Sequence, residues 1–149
     1  MKSTTILFCA ISLLSVSFAS AQIEIKTNPV ALLFEFIPVA AEFPIRNDMS
    51  LEAEVNYYPN EFFYAGGVYR YYFKPSAKLN DRFFLCALVG ASDFGVGPGF
   101  GLGYKWVSRR NILLDLGIGI GRYFGNEVDD QEAFPWGRLH IGYRFHPRN

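Results

Sequence analysis

The stretch PGFGLGYKWV at residues 98–107 alternates without a break, with Phe100, Leu102, Tyr104 and Trp106 on one side and Gly99, Gly101, Gly103 and Lys105 on the other. A two-residue period marks a β-strand, because successive Cβ atoms point to opposite faces of the pleat. ILLDLGIGIGRY at residues 112–123 repeats the pattern, setting Ile112, Leu114, Leu116, Ile118 and Ile120 against Leu113, Asp115, Gly117, Gly119 and Gly121. Ser108-Arg109-Arg110-Asn111 between them reads as a tight turn. A loop of Arg109, Arg110 and Asn111, with Asn111 at positive φ, lets facing residues share a face. The resulting register sets Lys105 opposite Asp115, Gly103 opposite Gly117, Gly101 opposite Gly119 and Trp106 opposite Leu114.

One face of this hairpin is apolar from end to end, and the other is small with a single possible ion pair. A soluble sandwich buries its large apolar face and leaves a polar face outside, which has no need of so many glycines. A barrel in a membrane inverts the arrangement: lipid wets the apolar face, and a narrow interior holds small and polar groups. The fold expected is therefore all-β, an eight-stranded antiparallel up-and-down β-barrel of outer-membrane type. Phe100, Leu102, Tyr104, Trp106, Leu114, Leu116, Ile118 and Ile120 are its lipid-facing residues here, and the hairpin glycines are expected to make room for charged side chains from neighbouring strands.

The start of the chain reads as a leader. Met1-Lys2 is positive, residues 6–18 are largely apolar, and Ala19-Ser20-Ala21 fits a small-residue cleavage site, so residues 1–21 form a signal peptide and 22–149 a single barrel domain. Cys9, beside Phe8 in so short a leader, does not suit lipidation. Lys and Arg total 14 against 14 Asp and Glu, a balance that offers no basic field for nucleic acid. Beyond the leader only Cys86 remains, which excludes an internal disulfide and a cysteine metal cluster and suits a fold closed by its own hydrogen bonds. Phe62, Phe63, Tyr64, Tyr69, Tyr71, Tyr72 and Phe73 gather where strands approach their ends, as in an interfacial aromatic girdle.

Six further strands complete the expected eight. Residues 27–36 form the first, with Val30, Leu32, Phe34 and Phe36 outward and Ala31, Leu33 and Glu35 inward, and Ile37-Pro38 is the turn that ends it. Residues 39–45 follow, Ala41, Phe43 and Ile45 outward and Glu42 inward, with Pro44 weakening the ladder. After the turn Arg46-Asn47-Asp48, residues 50–57 set Leu51, Ala53, Val55 and Tyr57 against Glu52, Glu54 and Asn56. Residues 62–73 place Tyr69, Tyr71 and Phe73 outward and Val68, Arg70 and Tyr72 inward. Residues 82–91 are apolar on both faces, so their phase stays open. The last strand, residues 136–145, has Leu139, Ile141, Tyr143 and Phe145 toward lipid and Arg138, His140, Gly142 and Arg144 inward. An even strand number brings both ends to the periplasmic side, putting the acidic loop after Tyr123 outside, and 74–81 is long for a periplasmic turn.

Several motifs follow one another along the chain: Lys26-Thr27-Asn28, Ser50-Leu51-Glu52 with Tyr57-Tyr58-Pro59, Val68-Tyr69-Arg70-Tyr71-Tyr72-Phe73, Gly101-Leu102-Gly103-Tyr104-Lys105-Trp106, and Gly142-Tyr143-Arg144-Phe145. In these the chain resembles a family of small outer-membrane-like β-barrel proteins of unknown function from Bacteroidota. The resemblance implies an eight-stranded outer-membrane-like barrel and no activity. The proline in the second strand and the tail His146-Pro147-Arg148-Asn149 depart from the pattern.

The phases gather an interior polar cluster of Glu35, Glu42, Glu52, Glu54 and Asp115 with Arg70, Lys105, Arg138, His140 and Arg144. Charges in so narrow a lumen must pair or stay hydrated, and a salt-bridged plug is expected rather than a pore. No catalytic residue, cofactor or metal site is assigned. A hydrolytic reading would need a nucleophile within hydrogen-bonding reach of His140, and Ser50 is the nearest candidate. His140 and His146 are about 20 Å apart on an extended strand, too far to share an ion; the acidic loop lacks the glycine spacing of an EF-hand; and Gly95-Val96-Gly97-Pro98-Gly99 enters a strand, so no helix end awaits phosphate. The expected location is the outer membrane, with membrane lipid and the barrel assembly machinery as partners and a structural, adhesive or surface-interaction role. The alternatives are a periplasmic lipocalin-like barrel binding an apolar ligand, which would turn Phe100, Leu102, Tyr104 and Trp106 inward, and a lipid-modifying outer-membrane enzyme.

Overall fold

The computed structural model describes residues 22–59, 62–92, 95–124 and 133–145. The expected leader at 1–21, the acidic residues at 125–132 and the tail at 146–149 lie outside the described residues. Eight strands, β1 (Ile23–Thr27), β2 (Ile37–Arg46), β3 (Met49–Tyr58), β4 (Phe62–Tyr72), β5 (Arg82–Ser92), β6 (Gly95–Val107), β7 (Ile112–Arg122) and β8 (Ala133–Phe145), form a closed antiparallel barrel in chain order. Facing residues followed once round, from Glu24 through Glu42, Glu52, Val68, Leu88, Gly99, Gly121 and Phe134, return to the β1 line at position 34, a stagger of ten residues. Eight strands with such a stagger are strongly tilted around a lumen just wide enough for side chains to fill.

The β6–β7 hairpin has the register read from its alternation: Lys105 faces Asp115, Gly103 faces Gly117, Gly101 faces Gly119 and Trp106 faces Leu114. Asn111 takes φ 63°, and the Ser108 hydroxyl accepts from the backbone N–H of Arg110 at 3.2 Å and of Ile112 at 3.1 Å, which tightens the turn.

The first strand differs from expectation. β1 ends at Thr27, and a short helix, α1 (Pro29–Leu32), follows. Asn28 caps it, its Oδ1 accepting from Val30 N at 3.0 Å and Ala31 N at 3.1 Å, while Pro29 fits the first helical position because its missing N–H would have no partner there. Local capping thus overrides the two-residue alternation of 30–36. Glu35 consequently sits in a turn at φ 63°, exposed, and not in the lumen.

Ile37-Pro38 belongs to β2 instead of forming a turn. β1 meets β2 only from Glu24 opposite Glu42 to Lys26 opposite Ala40. Pro38 and Pro44 flank that short ladder, and the Pro38 carbonyl accepts from Thr27 Oγ1 at 2.8 Å. Prolines at both ends of β2 are tolerated because their missing N–H groups fall on its unpaired side.

The phase of β5, open in the sequence, is settled: Phe84, Cys86 and Leu88 are buried inside, and Phe83, Leu85 and Val89 are exposed outside. The inward residues join Val68, Tyr72 and Trp136 in an apolar cluster. The hairpin glycines chiefly serve this cluster, not charged side chains. A Cβ at Gly101 would lie 2.6 Å from Ile118 O and 3.0 Å from the Trp136 ring, one at Gly99 2.9 Å from Leu88 Cδ1, and one at Gly103 would collide with Phe84.

Gly101→Val is therefore expected to cost about 1–3 kcal/mol through overpacking, read as a lower urea midpoint of the detergent-folded barrel. Gly137→Ala, where a Cβ meets nothing within 4 Å, leaves the midpoint unchanged.

Candidate functional site

The other half of the lumen is charged. Glu24, Glu42, Glu52, Glu54 and Asp115 are buried with Lys26, Arg70, Lys105, Arg138 and Arg144, five carboxylates against five cations. Alternation alone brings them here: each occupies an inward position of a strand whose neighbours point out.

Glu42 on β2 is the hub. It accepts from Lys105 Nζ at 2.7 Å, Arg70 Nη1 at 3.1 Å, Ser50 Oγ at 2.6 Å and the Tyr72 hydroxyl at 2.6 Å, and it contacts Lys26 as well. Arg70 spans the lumen, with Nη1 2.7 Å from Asp115 and Nη2 2.7 Å from Glu52. Lys26 lies 2.6 Å from Glu52 and 3.0 Å from Asp115. Lys105 reaches Glu24 at 2.9 Å, and Arg138 joins Glu52 to Glu54, the latter at 3.0 Å. Rings of the apolar cluster border the network, Arg70 over Phe84 at 4.6 Å, Lys105 over Tyr72 at 4.7 Å and Arg138 over Trp136 at 5.2 Å, contacts that favour cations over aromatic faces.

Carboxylate oxygens of Glu42, Glu52 and Asp115 lie within 4.8 Å of one another, a spacing that could hold a cation. The Lys26 ammonium and the Arg70 guanidinium stand among them and supply the positive charge.

At the end of the barrel that carries Ile23 and Phe145, the connection at 74–81 folds over the lumen. Arg144 contacts the Lys78 carbonyl and donates to the carbonyls of Leu79 at 3.1 Å and Asn80 at 3.2 Å while pairing with Glu24 at 2.6 Å. This accounts for the length of that turn: it is a lid tied to the charged core. At the opposite end the lumen widens into a vestibule of about 180 Å³ whose lining includes Glu54, Asn56, Tyr64, Tyr123, Phe134 and Trp136.

Nine of the ten residues expected in the polar interior are there, and Glu35 is not. Glu24 and Lys26 take part instead. Their signal was present in Ile23-Glu24-Ile25-Lys26-Thr27, a strict alternation just before the stretch assigned to the strand. The expected outward residues from Phe100 to Ile120 and from Leu139 to Phe145 all point out of the barrel. Ser50 and His140 do not form a nucleophile–base pair: the Ser50 hydroxyl donates to Glu42, and His140 Nδ1 lies 3.0 Å from Arg138 Nη2. The other ring nitrogen, Nε2, lies 4.0 Å from Glu54.

No family model, curated protein or solved structure matches the chain.

Removing one partner from such a network leaves the others buried without compensation. Arg70→Met should therefore destabilise the folded barrel by about 3–5 kcal/mol in urea titrations. The double variant Arg70→Met with Asp115→Leu should recover part of that loss; additive losses would show that Arg70 and Asp115 are not coupled.

Proposed function

We propose that this protein is an integral outer-membrane barrel, sealed against solutes, with a structural, adhesive or surface-interaction role. One observation carries the reading: an apolar surface runs round the outside of the barrel. Val39, Leu51, Val55, Tyr69, Leu85, Phe100, Leu102, Ile118 and Ile141 are each exposed, on β2 to β8 in turn. A soluble monomer seldom exposes a contiguous apolar patch beyond a few hundred Å², whereas a spanning barrel requires a continuous band. Among the described residues no helix is long and apolar enough to cross a membrane, so on this reading the strands do the crossing.

Aromatic residues support the same orientation. Tyr69, Tyr71, Phe73, Phe83, Tyr104, Trp106, Tyr143 and Phe145 stand outward toward the lidded end, with Tyr71 against Phe73 at 5.1 Å and Tyr143 against Phe145 at 5.0 Å. Tyrosine and tryptophan favour the headgroup level, where the ring is apolar and its polar tip stays wet. The ordered motifs that resemble the Bacteroidota barrel family point the same way. The lipocalin-like reading needs Phe100, Leu102, Tyr104 and Trp106 around a cavity, and they stand outside.

The full chain folded in detergent should run as a compact band that shifts on boiling, and in planar bilayers it should give no step conductance. A β-rich protein that stays monodisperse in buffer without detergent would overturn the membrane reading; ohmic channel steps would overturn the sealed lumen.

A further inference from the structure

Among the described residues the β8–β1 ladder of the closed barrel is incomplete at the end opposite the lid. β1 stops at Thr27, facing Ile141, so the β8 residues from Ala133 to His140 face no strand on that side among the described residues. Eight residues at ~3.3 Å each make roughly 26 Å of edge. The connection that includes α1 lies beside β2 and β8, and its four helical residues rise only about 6 Å, so the helix itself covers only part of that edge. Val30, Leu32, Leu33 and Phe34 in this connection are all exposed, Leu33 by 80%.

The vestibule lies at the same level. Asn56, in its lining, faces Pro38 of β2, which sits beyond the last β2 residue paired with β1. Tyr64, Phe134 and Trp136 wall the vestibule above a floor at Glu54, whose carboxylate is already held by Arg138 and by the Asn56 amide at 3.1 Å. The cavity also reaches β8 at Pro135 and Gly137, whose side positions point out of the barrel, and a Cβ at Gly137 would meet nothing within 4 Å.

We propose that this gap is a lateral portal and the vestibule a site for one acyl chain, which enters sideways between β8 and the α1 connection. The inference rests on the membrane reading, since the chain comes from the surrounding apolar phase. The portal opens beside outward apolar residues, Ile141 and Leu139 on one side and Val39 on the other, so an acyl chain reaches the aromatic walls from the apolar outer surface. The Glu54–Arg138 ion pair beneath stops it from going deeper. Pro135 has no N–H and Gly137 no side chain, which disfavours an added strand along this edge and leaves room for a flexible chain. A lipid's own chain and a free fatty acid share this chemistry.

The test is photolabelling of the full chain in phosphatidylcholine vesicles with two probes, a phosphatidylcholine and a free fatty acid, each carrying a diazirine near the chain end. Labelled sites are mapped by mass spectrometry in the wild type, in Gly137→Phe and in Val39→Trp, each first shown to give the compact, heat-modifiable form. Labels are expected on Tyr64, Phe134 and Trp136 in the wild type, reduced several-fold by either bulky variant, with outward Leu102 and Ile118 labelled equally in all three. Lumen labelling by the phospholipid probe assigns bilayer lipid as the source, and by the fatty acid alone a free acid. Labels confined to outward residues, or lumen labelling that both bulky variants leave unchanged, would overturn the portal while the membrane reading stands; no label on outward residues either would overturn both.

Discussion

The interior ion-pair network is the constraint on which the rest of the barrel depends. Ten charged side chains removed from water would each cost several kcal/mol if left alone, so the fold is tenable only where they satisfy one another. Glu42 shows how much alignment that takes: its donors Lys26, Ser50, Arg70, Tyr72 and Lys105 come from β1, β3, β4 and β6. A one-residue slip of any of these strands would turn its donor residue outward and leave Glu42 short of a partner. The network thereby holds the barrel to one register.

The two halves of the lumen solve the filling problem differently. Where β5 and β6 curve round, small glycines face rings, with Phe84 over Gly103 and Trp136 over Gly101 and Gly119. Where β1, β2, β3 and β7 meet, long charged side chains reach across to one another. The halves are joined by the residues that belong to both, Arg70 on Phe84, Lys105 on Tyr72 and Arg138 on Trp136. At one end Arg144 extends the network to the lid's carbonyls. At the other the network stops at Glu54, and the vestibule begins. On the proposed reading, a barrel plugged this way serves the membrane through its surface, not through conduction.

Much of this was legible from alternation. The hairpin register, the inward phases of β2, β3, β4 and β8, the positive φ of Asn111 and nine of the ten interior polar residues all follow from a period of two and the requirement that a turn keep facing residues on one face. Glu35 was misplaced because residues 30–36 also alternate, and period alone does not reveal that Asn28 and Pro29 start a helix. β5 could not be phased, since Phe84, Cys86 and Leu88 are no less apolar than Phe83, Leu85 and Val89. The glycines were read as space for charges because the sequence does not say which strand's side chain arrives above them.

What the sequence determined by itself is the two-faced strand: each segment carries its own alternation, and the pleat turns that into an apolar outside and a small or charged inside without help from elsewhere in the chain. Only the tertiary structure decided who meets whom across the lumen. Those partners are brought together by the ten-residue stagger of the closed barrel, which sets Lys26 of β1 against Asp115 of β7 and Arg138 of β8 against Glu52 of β3. Closure is a property of all eight strands at once. For the same reason the shortness of β1, a local effect of one asparagine and one proline, left part of β8 without a strand partner among the described residues only when β8 returned to close the barrel against it.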